Sequence, residues 1–274
     1  MTGALVRAVL MAILVATPSM LLPEVGSDIK QVTALIALFL GALVFVEYSS
    51  TYPGLVEFRH APPFNRIRFL SLFLTVFLLA AILRGQAEPT TLTRLFEATG
   101  AIIGQTIDFP YSPVRLMTLI LPEGTDPAHV AMIRTAAGVS YLVSLLGLAI
   151  FVLIQRAGLW PSRHAAFNVW VNLPTFDPTV GGDVVHRLER DARFNIALGF
   201  LLPFLVPAVV KAAADGFGPV TLESPQVMIW TMAAWAFLPA SLFMRGIAMG
   251  RIAEMIRAKR RQIELAGDEA YAPV

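Results

Sequence analysis

The sequence predicts an all-α polytopic membrane protein: a bundle of six transmembrane helices, one or two outer interfacial helices, and a long cytoplasmic extension of the last helix. Three observations predict it. Hydrophobic residues make up 56% of the 274, charged residues only 15%, and mean hydropathy is +0.68, whereas a soluble domain carries about 25% charge. Six stretches approach the roughly 17–25 apolar residues that a spanning helix needs. The basic residues fall mostly on one side of those stretches.

The first span, about 6–22, carries Arg7 near its start and Pro18 inside. A positive start and a short apolar core also suit a signal peptide. No small-x-small cleavage site follows, because the next residues are Thr17, Pro18, Ser19 and Met20, so a retained helix is expected. The second and third spans are about 31–47 and 67–84. Outer segment 85–132 is too long for a simple connection. In it Leu92, Leu95, Phe96, Ile102 and Ile103 share one helical face, and a short apolar run covers Val114 to Leu121. Both are too short to span, so one or two flat interfacial helices are expected. A lid or re-entrant element is the alternative.

The fourth span, about 133–155, is announced by Asp126-Pro127, a cap acceptor followed by proline at the first helical position. The fifth, about 194–212, starts before the membrane. Asp183 can cap it, Arg187/Asp191 and Glu189/Arg193 are spaced as i,i+4 pairs, and Pro203 and Pro207 should kink it. Ser224-Pro225 opens the sixth, about 226–245, with a kink expected near Pro239. Its helical composition continues into a basic tail, 246–274, so about five further turns should enter the cytoplasm.

Orientation follows from the distribution of Lys and Arg. One side holds only Lys30, Arg84, Arg94, Arg115, Arg134 and Lys211, which leaves 15 of the 21 basic residues on the other. Both termini are therefore expected in the cytoplasm. The 18 Arg against 3 Lys suggest a GC-rich bacterial genome and hence an inner membrane.

Several chemistries are excluded. There is no cysteine, hence no disulfide, thiolate metal site or cysteine nucleophile. Charge is too scarce for a disordered or nucleic-acid-binding chain, so no nucleic-acid partner is expected. Glu47, Arg84, Lys211 and Arg245 sit at span ends and no charge sits mid-span, which weighs against proton relays. His60, His129, His164 and His186 lack ligand spacing for haem or zinc. No nucleophile elbow, P-loop or dinucleotide fingerprint occurs. Neither a cofactor nor a metal is expected. Asp177 and Asp183 flank Gly181-Gly182, which reads as a turn and cap more readily than as a cation site.

One pattern recurs. Arg59-His60-Ala61 leads to Phe64-Asn65, Arg163-His164-Ala165 leads to Phe167-Asn168, and Arg190-Asp191-Ala192 leads to Phe194-Asn195. Interface chemistry explains it: Arg at headgroups, Phe in the acyl region, Asn in a turn. A duplicated hairpin is the alternative. Small residues for close helix packing are Gly246/Gly250, Ala136/Ser140/Ser144 and Ala37/Gly41. The tail places Arg251, Arg257, Lys259, Arg260 and Arg261 among apolar residues, as in a helix that meets anionic lipid or a partner.

The functional expectation is a protein that acts by contact, an accessory or assembly subunit of a larger membrane complex. Lipid or partner contact is expected on the cytoplasmic face at Arg59, Arg163, Arg190, Arg257, Lys259, Arg260 and Arg261. The expected partners are anionic headgroups and either other membrane subunits or a second copy of the chain. A transporter or channel for a neutral or lipophilic solute is the second expectation, from the prolines and a cavity along Ser140, Ser144, Thr231 and Ser241. A lipid-modifying enzyme is the third. It would use Asp177, Asp183, His164 or His186, with Arg163 and Arg187 holding phosphate.

Overall fold

The computed structural model describes residues 1–23, 25–161, 172–177, 179, 181–218 and 222–270. Its helices are α1 (Thr2–Leu21), α2 (Ser27–Ser49), α3 (Phe64–Ala87), α4 (Thr91–Ile107), α5 (Pro113–Thr118), α6 (Pro127–Arg156), α7 (Val184–Phe217) and α8 (Pro225–Ala270). No strand occurs among the described residues. Six helices, all except α4 and α5, are long and apolar enough to cross a membrane. Each expected span falls almost wholly within one of them. The helix starts follow local rules: Asp126 accepts from the Ala128 N–H ahead of Pro127, and Ser112 accepts from Arg115 ahead of Pro113.

The six long helices alternate in direction, so the molecule has two ends. The starts of α1, α3 and α7 gather with the ends of α2, α6 and α8; this is the arginine-rich end. Small residues mark where neighbours touch. Gly41 of α2 faces the Ala8 carbonyl and Ala12 of α1, and Gly147 of α6 faces Ser71 of α3. Gly199 and Gly246 join α7 to α8, against Pro239/Phe243 and Ala192/Ile196 respectively. Gly250 lies one turn further along the same seam, near Ala192. In a lipid environment such close approach supplies dispersion contact where a hydrophobic driving force is missing.

Glycines on both sides let α4 and α6 approach closely. A methyl group added to Gly138 would stand 2.5 Å from the Gly104 Cα, and one added to Gly104 would stand 2.8 Å from the Arg134 carbonyl oxygen. Two backbones therefore meet with no side chain between them. Gly138→Ala should force α4 outward and cost about 1–3 kcal/mol, as overpacking does. A thermal melt in detergent with the melting temperature of the native chain would contradict this.

Segment 85–132 thus packs into the bundle. Thr93, Gly100 and Gly104 of α4 face inward, while Leu92, Leu95 and Ile102 are exposed. From α5 and its exit, Val114, Met117, Ile120 and Leu121 join a core with Val76, Leu79, Ile133, Met228 and Ile229. One ionic group pins this cap. Asp108, whose side chain is 5% exposed, lies 2.7 Å from Arg115 Nε and 2.7 Å from Arg134 Nε. Asp108 Oδ1 and Arg134 Nε lack aligned hydrogen-bond geometry, so the attraction is mainly coulombic.

α7 and α8 run unbroken through their prolines. Pro207 has no N–H to give the Pro203 carbonyl one turn earlier. The Trp235 indole of α8 donates to that carbonyl at 3.1 Å, so the defect in one helix becomes a bond between two. The pair is long. α7 has 34 residues and α8 has 46, about 50 and 70 Å at 1.5 Å per residue. Both exceed the roughly 30 Å hydrocarbon thickness of a bilayer.

Candidate functional site

The arginine-rich end concentrates the polar chemistry of the chain. Its floor is aromatic. Phe58, Phe64, Phe151 and Trp160 are each at most 1% exposed and pack with ring centroids 4.4–6.2 Å apart. The Trp160 indole N–H donates to the Ala61 carbonyl at 2.8 Å and so satisfies its one polar atom. Phe58 is held at φ +53°, a strained value for a side chain of this size. Its N–H donates to the Asn172 carbonyl at 2.6 Å. The aromatic burial offsets the strain.

Over this floor the α2–α3 loop is tied down at several points. The Glu47 carboxylate accepts from the N–H groups of Gly54, Leu55 and Val56 at 2.8–3.3 Å. Arg59 donates to the Glu47 and Ser50 carbonyls that end α2. Its Nε donates to His60 Nε2 at 3.1 Å. Burial, with the Arg59 charge beside it, holds the His60 pKa below the usual imidazole range, which suits a neutral acceptor.

Glu57 is the hub. It forms a two-pronged ion pair with Arg245 of α8, 2.6 and 2.9 Å, and accepts from the Thr175 hydroxyl at 2.6 Å. Its backbone carbonyl accepts from Asn65 Nδ2 at 2.7 Å. One residue thereby links the α2–α3 loop, the start of α3, the segment before α7 and α8. Sequence reasoning missed this hub, since Glu57 lies in a loop 188 residues from Arg245.

The extension of α8 is laced to α7. Arg257 pairs with Glu189, and Arg260 pairs with Asp183 at 2.6 Å. Glu189, spaced to pair with Arg193 on its own helix, turns to Arg257. Asp183 holds the cap position of α7, and its carboxylate meets Arg260. The Arg260 hydrogen bond lowers the Asp183 pKa, and the Thr179 hydroxyl lowers that of Asp177. A depressed carboxylate pKa keeps the Asp183–Arg260 pair charged at neutral pH; it is lost as pH falls below the ordinary carboxylate range of about 4. The two aspartates therefore serve a turn and a helix pair. The turn itself depends on Gly182, at φ +99°. Among the described residues no group of three or more His, Asp or Glu is arranged to hold a metal.

The recurring motif is placed differently in its two described copies. Phe64 is fully buried and Phe194 is 64% exposed. Asn65 bonds across to the loop, whereas Asn195 bonds back to Asp191 of its own helix. Arg163, His164, Phe167 and Asn168 lie outside the described residues. Arg190, Lys259 and Arg261 are exposed, and Arg187 reaches the Asp177 carbonyl at 2.7 Å. Ser140, Ser144 and Ser241 are buried in the bundle, and Ser140 bonds back to Ala136. Clefts of 490 and 200 Å³ both open at the far end, lined by the α5–α6 turn with Lys211 and by the starts of α2 and α8. Neither includes these serines.

Comparison with family models, curated proteins and solved structures finds no match.

Proposed function

We propose that this chain is a six-span protein of a bacterial inner membrane, with both termini cytoplasmic, that acts by contact as an accessory or assembly subunit of a larger membrane complex. The observation that carries the proposal is the α7–α8 stalk. Of the roughly 70 Å of α8, about 30 Å suffices to cross the hydrocarbon. The remainder projects on the arginine-rich side, which the Lys/Arg bias assigns to the cytoplasm. Ion pairs tie it to α7, which lowers the entropy lost on docking.

The stalk also presents a surface suited to a partner. Arg190, Arg193, Lys259 and Arg261 are exposed, and Ile263 and Leu265 at its tip are 62% and 65% exposed. Basic rims speed and orient association, and apolar residues at the centre hold it. The partner chemistry that fits is an acidic surface with an apolar groove. The rigid floor of Phe58, Phe64, Phe151 and Trp160 and the Glu57 hub would hold the stalk in position.

The test is recovery of the tagged chain from native membranes, beside a variant combining Arg190→Glu, Arg193→Glu, Lys259→Glu and Arg261→Glu. A stoichiometric partner held by the native chain and reduced roughly tenfold in the variant is expected, since reversed rim charges repel. Both chains should remain in the membrane fraction. Recovery of the native chain alone would overturn the proposal.

A further inference from the structure

We propose that Arg7, Tyr48 and Arg68 form a binding site for the phosphate of an anionic phospholipid. The site lies where the starts of α1 and α3 meet the end of α2, and it is separate from the stalk. It rests on the proposed placement of this end at a bilayer face.

Arg68 is the centre of the argument. It sits one turn into α3, where its guanidinium lies over Phe64 at 5.3 Å and Phe237 at 5.9 Å. Its Nε is buried with no hydrogen-bond partner, and its one weak contact is to Asn65 Oδ1 at 3.4 Å. The Glu57 carboxylate is within electrostatic reach but is already bound by Arg245 and Thr175. A guanidinium this poor in acceptors is costly unless an oxygen-rich anion meets it. Arg is also the side chain that grips phosphate through a planar fork of donors.

The neighbours complete the chemistry. Arg7 of α1 lies 4.5 Å above the Tyr48 ring and also donates to the Gly3 carbonyl of its own helix. Tyr48, next to last in α2, is hydrogen-bonded by Arg7 and interacts electrostatically with Arg7, Arg68 and Arg59. The phenol oxygen therefore accepts from Arg7 and keeps its O–H to donate, amid three guanidinium groups. Arg59 is spent on the end of α2, so Arg7 and Arg68 remain to take the phosphate. All three side chains stand within two turns of a helix end, the depth at which headgroups lie. The exposed apolar residues Val46, Leu5 and Leu70 offer acyl chains a path beside them.

The experiment incorporates the full chain into phosphatidylcholine vesicles with and without phosphatidylglycerol, then extracts it and measures retained lipid by native mass spectrometry. The native chain should retain phosphatidylglycerol over phosphatidylcholine. Arg7→Gln and Arg68→Gln should each lower that preference about fivefold, the factor expected for one charge near anionic lipid. Arg68→Lys should recover part of it. Arg94→Gln, exposed at the opposite end, should match the native chain. Flotation of each variant with the vesicles checks insertion, so failure of the membrane placement is seen separately from failure of the site. A native chain without lipid preference, an Arg68→Gln chain that inserts and keeps it, or displacement of the lipid by inorganic phosphate at equal concentration would each overturn the proposal.

Discussion

Asp108→Ala is expected to lower stability by about 3 kcal/mol, the low end for removing one partner of a buried ion pair. Two arginines, Arg115 and Arg134, would face each other without the carboxylate that now separates their charges. Arg115 is 41% exposed and can turn to water, which keeps the figure at the low end. Arg134 is 28% exposed and cannot leave α6. The loss should appear first in the cap. Protease cleavage within 108–126 should rise before the bundle melts, because α4 and α5 depend on this clamp and on the glycine contact for their attachment. Adding Arg134→Met to Asp108→Ala should restore part of the loss, since an apolar replacement removes the orphaned charge. Unchanged melting and unchanged cleavage in Asp108→Ala would show that the clamp contributes nothing.

Glu57→Ala should have a comparable cost, about 3 kcal/mol, at the other end of the molecule. The Glu57 side chain is 11% exposed and that of Arg245 is 25% exposed, so the pair is screened less than a surface salt bridge. Its removal leaves Arg245 with one side-chain hydrogen bond, to Thr175, and the charge of Asp191. Glu57→Gln keeps the shape and one acceptor but removes the charge, so it should cost less than Glu57→Ala. The functional consequence is more diagnostic than the melting temperature. Loss of the hub should loosen the α2–α3 loop against α8 and weaken partner retention, with the stalk residues themselves untouched. If Glu57→Ala keeps native melting and native partner recovery, the hub is not what positions the stalk.

Much of the architecture was legible from composition. Six helices stand where six apolar runs stand, and Asp126-Pro127 starts α6 as its cap chemistry requires. The extension of α8 was legible too, because no proline follows Pro239 until beyond the helix. The outer segment was less so. Its apolar residues Leu92, Leu95 and Ile102 suggested an interfacial helix and are exposed, but the face that packs, Thr93, Gly100 and Gly104, was not read from the sequence. In a bilayer the usual amphipathic rule loses its sign, since lipid accepts the large apolar side chains and backbones meet through the small ones. A Gly-x-x-x-Gly at 100–104 was the available signal.

Hydropathy and the placement of Lys and Arg suffice for the number, bounds and alternation of the long helices, because each is a local cost set by transfer of side chains and backbone between water and lipid. Pairing is another matter. Glu57 meets Arg245, Asp108 meets Arg115 and Arg134, Trp235 meets the carbonyl freed by Pro207, and the basic tail is laced to α7 through Glu189 and Asp183. Each partner is defined by the arrival of a residue remote in the chain, or on a different helix, in a geometry that satisfies its charge or its free hydrogen-bonding group. A linear pattern carries the requirement for such a partner, while the packing of whole helices selects which residue meets it.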